Sequence, residues 1–220
     1  MKIVAEDKIV DQRIEELVAE WEANKPIQGN IKADTAMNTI NIFEGRLVRL
    51  QEEYDLVCRA KDALDLDSSR DDRLGPVVEE LRDLKAVWTA LSGVWAQIAE
   101  IREMSWSTIQ PRKLRQLLDG LLTSTKEMPS RMRQYSAFEF VQDTIRTHLK
   151  TNVIVSELKS EALRDRHWRQ LFKILKSSQG LSSLTLGQVY DLDLKRNEVL
   201  IKEVIVQASG EVSRHRVIPH

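Results

Sequence analysis

The most unusual cluster of side chains in the sequence surrounds Trp168, in the string RDRHWRQL. An indole flanked by arginines could stack on a flat ligand. The competing interpretation places Trp168 on the apolar face of a helix with Leu171, Phe172 and Leu175, and leaves the arginines in solvent. We favour the helix, because these apolar residues recur at the three- and four-residue spacing of one helical face.

The other residue types that perform chemistry form no recognisable site. Cys58 is the single cysteine, and it is better explained as a small, semi-buried side chain than as a nucleophile. The four histidines make no HExxH or similar i, i+4 pair of metal ligands. The eight glycines supply neither a GxxxxGK nor a GxGxxG phosphate loop. We therefore predict no catalytic residue, no metal and no cofactor in this segment, which is then not an enzyme by itself.

Charged side chains also have a simpler explanation than catalysis or nucleic-acid binding. The Glu pairs at positions 15/16, 52/53 and 79/80 lie within charged helical faces, without the apolar surroundings that general acid–base catalysis uses. Two basic strings, QPRKLRQ and PSRMRQ, could form a patch, but they lack the interleaved aromatics of a nucleic-acid platform. We expect solvated helical faces and no nucleic-acid partner.

Composition supports this view. The chain has 220 residues and a net charge of −1, although residues 1–110 carry −8 and residues 111–220 carry +7. No apolar run approaches the roughly 20 residues that cross a membrane. We expect a soluble intracellular protein without a membrane partner.

Apolar spacing predicts long helices in the first half of the chain. One helix ends at the NKPIQGN string, where Pro26 disfavours helix. The next runs from Asp34, as N-cap, to Leu64 with a heptad pattern, and a polar loop of residues 65–75 precedes a third helix. We predict that this third helix contributes core residues to a facing antiparallel helix: Leu81, Trp88 and Trp95.

Shorter helices are predicted in the second half. They begin at Pro111 and near Arg131, and the string TNVIVSELKSEAL, which starts at residue 151, then indicates a turn followed by another short helix. Further helices contain the string DRHWRQLFKIL and residues 194–207. Glycines 180 and 187 are expected to interrupt the helical structure between them. The predicted core of this half comprises Leu163, Trp168 and Leu171. Without any hairpin signal, the fold class is all-α, an elongated antiparallel helical bundle with long heptad-patterned helices.

Several strings resemble one family closely. QPRKLRQLLDGLL, MPSRMRQYSAFEFVQ, VSELKSEALRDRHWRQLFKIL and LTLGQVYDLDLKRNEVLIKEV are similar to consecutive pieces of the cytoplasmic dynein heavy chain, where the tail joins the linker ahead of the ATPase ring. WEANKPIQGNI and EELRDLKAVWTALSGVW resemble the preceding helices. The resemblance covers residues 8–211, and the string around ELKSEALRDRHW is its most specific part.

The resemblance implies a non-catalytic segment of a microtubule minus-end-directed motor, which links the tail to the ring and transmits force. It divides the chain into a tail-type bundle with a long hairpin (1–110), the start of a linker-like region (111–211) and an atypical terminus (212–220), as in a truncated gene product. ATP and Mg²⁺ would bind elsewhere in the full-length family. The implied partners are the rest of the heavy chain and the dynein intermediate and light intermediate chains, with microtubules contacted only indirectly. The implied location is the cytoplasm and cytoskeleton.

A different class of function also fits the helical periodicity. A stand-alone cytoskeletal scaffold, like a spectrin-type bundle, would bind partners through its heptad-patterned faces. The periodicity supports both functions, whereas the specific strings favour dynein.

Overall fold

The computed structural model describes residues 2–67 and 72–216 of the chain. These residues form three short 3-10 helices (Trp106–Thr108, Ser130–Gln134 and Leu181–Ser183), no β-strand and eight α-helices, which are α1 (Lys2–Asn24), α2 (Ala33–Ala63), α3 (Gly75–Glu103), α4 (Pro111–Lys126), α5 (Ser136–Leu158), α6 (Asp165–Ile174), α7 (Leu186–Asp191) and α8 (Glu198–Arg216). The predicted all-α fold is confirmed, and the heptad pattern stays a prediction. Among the described helices, none combines the length and apolar character that a membrane span needs.

The long helices begin and end where backbone chemistry dictates. α1 ends at Asn24, just before the Lys25–Pro26 step, because proline lacks the N–H that would continue the helix. α2 starts at Ala33, one residue before the predicted cap, so Asp34 lies in the first turn, where its negative charge complements the helix dipole. α3 carries Pro76 in its first turn, a position that needs no hydrogen-bond donor. Residues 68–71 of the predicted loop lie outside the described residues.

Two compact units divide the chain, and the first comprises Met1–Gly93 and Pro129–Phe140. In this unit α1 and α2 are antiparallel, as two ion pairs show. Asp7, early in α1, pairs with Lys61 near the end of α2 at 2.5 Å, whereas Arg13, later in α1, pairs with the earlier Glu53 at 2.7 Å. The Trp21 indole meets the Phe43 ring edge-on at 5.3 Å in the same interface.

The beginning of α3 runs parallel to α1. Arg73, two residues before α3, pairs with Asp11 at 2.5 Å, and Glu80 of α3 accepts a 2.7 Å hydrogen bond from the indole of Trp21, further along α1. Further on, the indole of Trp88 donates to the Pro26 carbonyl at 2.8 Å. The three helices therefore alternate in direction around a core that includes Ile14, Leu47 and Leu84.

The second unit comprises Val94–Met128 and Val141–His220. Here α4 and α5 are antiparallel: Gln142 donates to Thr125 Oγ1 at 3.0 Å, and ten residues later Asn152 donates to the Pro111 carbonyl at 3.2 Å. Helix α6 packs on α8. The sequence-derived boundaries at residues 110 and 211 stay predictions.

Three details of the second unit differ from the sequence-based expectation. The predicted turn at residues 151–152 is wrong, because α5 continues to Leu158 and buries Ile154 and Val155. Gly187 does not interrupt helical structure but lies inside α7. A Cβ atom at this position would lie 3.0 Å from the Arg102 carbonyl oxygen. The last helix begins at Glu198 and ends at Arg216, both later than predicted.

Candidate functional site

A cluster of aromatic rings, formed by Trp106, Trp168 and Phe172, lies in the second unit and is called here the tryptophan cluster. Trp168 projects from α6 and is 7% exposed, while Trp106 is 4% exposed. Their ring centroids are 5.7 Å apart at 74°, an edge-to-face contact, and the Phe172 ring also lies 5.7 Å from that of Trp168, tilted at 40°. The Trp168 indole is therefore enclosed by protein, as the core interpretation of this residue requires.

Backbone hydrogen bonds fix the position of Trp106 within the cluster. Its N–H donates to the Leu184 carbonyl at 2.8 Å, and the Leu186 N–H donates to the Met104 carbonyl at 2.9 Å. An isolated antiparallel bridge between Ser105 and Thr185 accompanies these bonds. The segment before α4 is thus joined to the segment before α7, about 80 positions away in the chain, which fixes the backbone that carries the Trp106 ring.

Lys159 closes one side of the cluster. Its ammonium lies 4.5 Å from the centroid of the Trp106 ring and donates a hydrogen bond to the Trp106 carbonyl. Burial lowers the pKa of Lys159, because the charged form loses hydration. Contact with the ring face and the carbonyl offsets part of that loss. Beside it lies an open cleft of about 640 Å³ lined by Trp106, Lys159, Asp165, Trp168 and Leu181.

Side chains of α6 reach α8. The Arg166 guanidinium pairs with the Glu211 carboxylate, and His167 Nε2 lies 3.2 Å from the same carboxylate. The His167 approach is not aligned as a hydrogen bond. The other ring nitrogen, Nδ1, accepts a 2.9 Å hydrogen bond from the Arg164 N–H at the start of α6. Desolvation disfavours the charge on Glu211, but the Arg166 guanidinium outweighs it and holds the pKa of that carboxyl below its usual value.

The predicted core residues occupy different environments. Leu81, Trp88 and Leu171 are buried, with Leu171 fully enclosed, whereas Trp95 and Leu163 are half-buried. The Trp88 indole hydrogen-bonds at the turn between α1 and α2, in the first unit. Trp95 and Leu163 belong to the second unit, Leu163 two residues before α6.

Sequence reasoning missed Trp106 and a second aromatic pair. The rings of His148 and Tyr190 stack at 4.3 Å and 21°, next to Arg102, which pairs with Asp191 at 2.7 Å. Burial, helped by the Arg102 charge, lowers the pKa of His148 to about 4, and burial raises the pKa of Tyr190. A neutral, buried imidazole stacked on a phenol serves packing. In the sequence, these contacts are indicated only by aromatic residues that lie between or near predicted helices.

Nothing in this arrangement assembles a reaction centre. Among residues 2–67 and 72–216, no group of three or more His, Cys, Asp or Glu side chains could hold a metal ion. Cys58 is buried in α2. What the geometry does provide is an interlock, in which α6 is held by the tryptophan cluster on one side and by Glu211 of α8 on another.

Comparison with known proteins identifies the source of the specific strings. A family model described as "Dynein heavy chain, N-terminal region 2" matches residues 74–218. The chain belongs to the dynein heavy chain family. The sequence-based resemblance to this family is confirmed.

Individual dynein heavy chains match almost the whole chain. The cytoplasmic dynein heavy chain of Dictyostelium discoideum is 49% identical over 218 residues, that of Fusarium vanettenii is 48% identical over 213, and that of Drosophila melanogaster is 45% identical over 217. Each alignment covers 96% of this chain and 5% of the relative. The chain is thus similar to a short stretch of very long proteins, and that stretch includes the three helices of the first unit.

Proposed function

We propose that this segment is a non-catalytic mechanical element of a microtubule minus-end-directed motor, which joins the cargo-binding tail to the ATP-driven ring and transmits force between them. ATP and Mg²⁺ would bind elsewhere in the heavy chain. The segment would work in the cytoplasm on the cytoskeleton, in contact with other parts of the heavy chain. The intermediate and light intermediate chains are its candidate accessory partners, and it would meet microtubules only indirectly.

The interlock around α6 is the observation that carries this proposal. An element that transmits force must resist bending, and resistance comes from contacts that must all break together. The Trp168 indole packs between two other rings, and the opposite tie joins Arg166 to Glu211. Backbone bonds at Trp106 and Leu186 add a connection that side-chain rotation cannot release. Displacing α6 would therefore disrupt the ring contacts of Trp168 and the Arg166–Glu211 ion pair at once.

A stand-alone scaffold of the spectrin type remains the second candidate, and one observation favours it. In the first unit α1, α2 and α3 alternate in direction, as in a three-helix scaffold repeat. The dynein heavy chains, however, align over 96% of the chain and so include these helices. A helical bundle of this kind is thus compatible with a dynein segment, and we retain the mechanical function.

The test compares movement with ATP turnover in a full-length heavy chain that carries Trp168→Ser. The ring that hydrolyses ATP is unchanged by this substitution, so we expect velocity to fall while basal turnover stays within about twofold of wild type. Gln170→Ser is the matched control, since Gln170 is an exposed residue of the same helix. Normal velocity in a folded Trp168→Ser motor would refute force transmission through α6, and so would a selective loss of nucleotide binding.

A further inference from the structure

Residues 129–140 form a docking segment that packs against the turn between α1 and α2 in the first unit. The Ser136 hydroxyl donates a 2.6 Å hydrogen bond to the Ile27 carbonyl. The approach is close, because a Cβ atom on Gly29 would lie 2.8 Å from both the Ser136 carbonyl oxygen and the Phe140 Cβ. Arg131 adds a 3.6 Å ion pair with Asp83 of α3. The hydrogen bond from the Ser136 hydroxyl thus helps to hold the segment in place.

The sequence around Ser136 has a charge pattern that the mechanical function does not use. Arg131 and Arg133 stand five and three residues before Ser136, and all three residues are exposed. Two arginines at fixed positions before a serine fit the acidic substrate groove of an arginine-directed protein kinase, where guanidinium groups pair with carboxylates bidentately. The kinase must straighten only the 3-10 helix Ser130–Gln134 and the first turn of α5 to bind this sequence.

We propose that Ser136 is a phosphorylation site for an arginine-directed serine/threonine kinase, and that phosphorylation releases the docking segment from the α1–α2 turn. In the transfer step, Ser136 Oγ attacks the γ-phosphorus of the kinase's MgATP. The new Oγ–P bond forms as the bond to the β,γ-bridging oxygen breaks, and ADP leaves. The hydroxyl proton passes to the catalytic carboxylate of the kinase and then to water.

The phosphate removes the contact that the hydroxyl makes. The phosphorylated oxygen has no proton to donate to the Ile27 carbonyl, and about 1.5 to 2 negative charges now face that carbonyl. The turn and the segment are in close contact here, because a Cβ atom on Gly29 would lie 2.8 Å from the Ser136 carbonyl oxygen. Helix α5 itself is not harmed, because Ser136 is its first residue and a negative charge at a helix N-terminus is favourable. The docking contact is therefore lost while the helix persists.

The test uses the whole 220-residue chain, a purified arginine-directed kinase catalytic domain and MgATP, with intact-mass and peptide-mapping readouts. We expect one phosphoryl group per chain, on Ser136. Ser136→Ala should lower incorporation about tenfold or more, and Arg131→Lys with Arg133→Lys should lower the rate about tenfold, because lysine keeps the charge but loses bidentate pairing. Ser130→Ala, on the neighbouring exposed serine, is the matched control and should incorporate phosphate normally.

Hydrogen exchange then tests the release. Phosphorylated chain should exchange amides of residues 27–30 and 129–135 about tenfold faster than unmodified chain, with α4 unchanged. Phosphorylation of a synthetic 129–140 peptide but not of the intact chain would overturn the assignment of the site. Incorporation that persists in Ser136→Ala would overturn it as well. Modification of Ser136 with unchanged exchange at the turn would overturn the release.

Discussion

Truncating Trp168 to Ala removes the central ring of the tryptophan cluster. Trp168 is 7% exposed and its ring contacts those of Trp106 and Phe172, so its deletion leaves a cavity among packed side chains. Large aromatic-to-alanine changes in cores cost about 3 to 5 kcal/mol. Aromatic pairs contribute roughly 0.5 to 1.5 kcal/mol each beyond burial, and Trp168 makes two such pairs. About 1 to 3 kcal/mol of the total thus depends on ring geometry.

A series of variants separates burial from ring geometry. Trp168→Ala should lower the free energy of unfolding by about 3 to 5 kcal/mol. Trp168→Leu keeps part of the apolar volume but loses both ring pairs, so it should cost less than Trp168→Ala and at least about 1 kcal/mol. Gln170→Ala, at an exposed position on the same helix, should change stability by no more than about 0.5 kcal/mol. Urea denaturation followed by near-ultraviolet circular dichroism measures all three.

Two outcomes of this series would contradict the packing role of Trp168. If Trp168→Ala unfolds within about 0.5 kcal/mol of wild type, the ring is not an anchor and the interlock around α6 loses its main contact. If Trp168→Leu costs as much as Trp168→Ala, apolar burial contributes little at this position, and the division of the cost into a burial part and a smaller ring-contact part is wrong.

Three further predictions concern other parts of the chain. Gly29→Ala should destabilise the protein by about 1 to 3 kcal/mol, because its Cβ would clash at 2.8 Å with Ser136 and Phe140; Gly120→Ala, in α4 with open space around it, should instead stabilise by about 0.5 to 1 kcal/mol in the same denaturation assay. The pKa of His148 is about 4 when folded and about 6.5 when unfolded, so the unfolded state binds more protons between these values and up to about 3 kcal/mol of stability is lost as pH falls from 6.5 to 4; His148→Phe, which keeps the stack on Tyr190, should flatten this pH dependence, and an unchanged slope would contradict it. The purified 220-residue chain should give a helical circular dichroism spectrum and no ATP turnover, and turnover that survives rigorous purification would refute the absence of a nucleotide site.

Apolar periodicity predicts the helices of this chain well, because each long helix buries one face. The spacing of Val10, Ile14, Leu17 and Trp21 places four buried residues of α1 on one side. The same reasoning fails at residues 151–152, where polar Thr and Asn suggest a turn. In the structure the Asn152 side-chain nitrogen donates to the Pro111 carbonyl, so this donor has a partner although the residue lies inside the helix. Only the tertiary partner explains it.

The candidate site could be predicted only in part, for a related reason. Periodicity places Trp168 and Leu171 on an apolar face, but it does not identify what covers that face. Trp106 lies 62 positions earlier in the chain, in a 3-10 helix too short to show a period. The sequence does not distinguish Glu211 from the other carboxylates on helices, because its pairing with Arg166 depends on the packing of α6 against α8. Contacts between residues that are distant in sequence decide both halves of the interlock.

The central claim is that α6 and the tryptophan cluster transmit force without taking part in hydrolysis. The most direct measurement is the stall force of single full-length motors in an optical trap, with ATP turnover measured on the same preparation. Trp168→Ser should lower stall force by about half or more at near-normal turnover, while Trp168→Phe, which keeps an aromatic ring, should recover most of it. Equal stall forces in wild type and Trp168→Ser, or a loss of force that only parallels a loss of turnover, would contradict the claim.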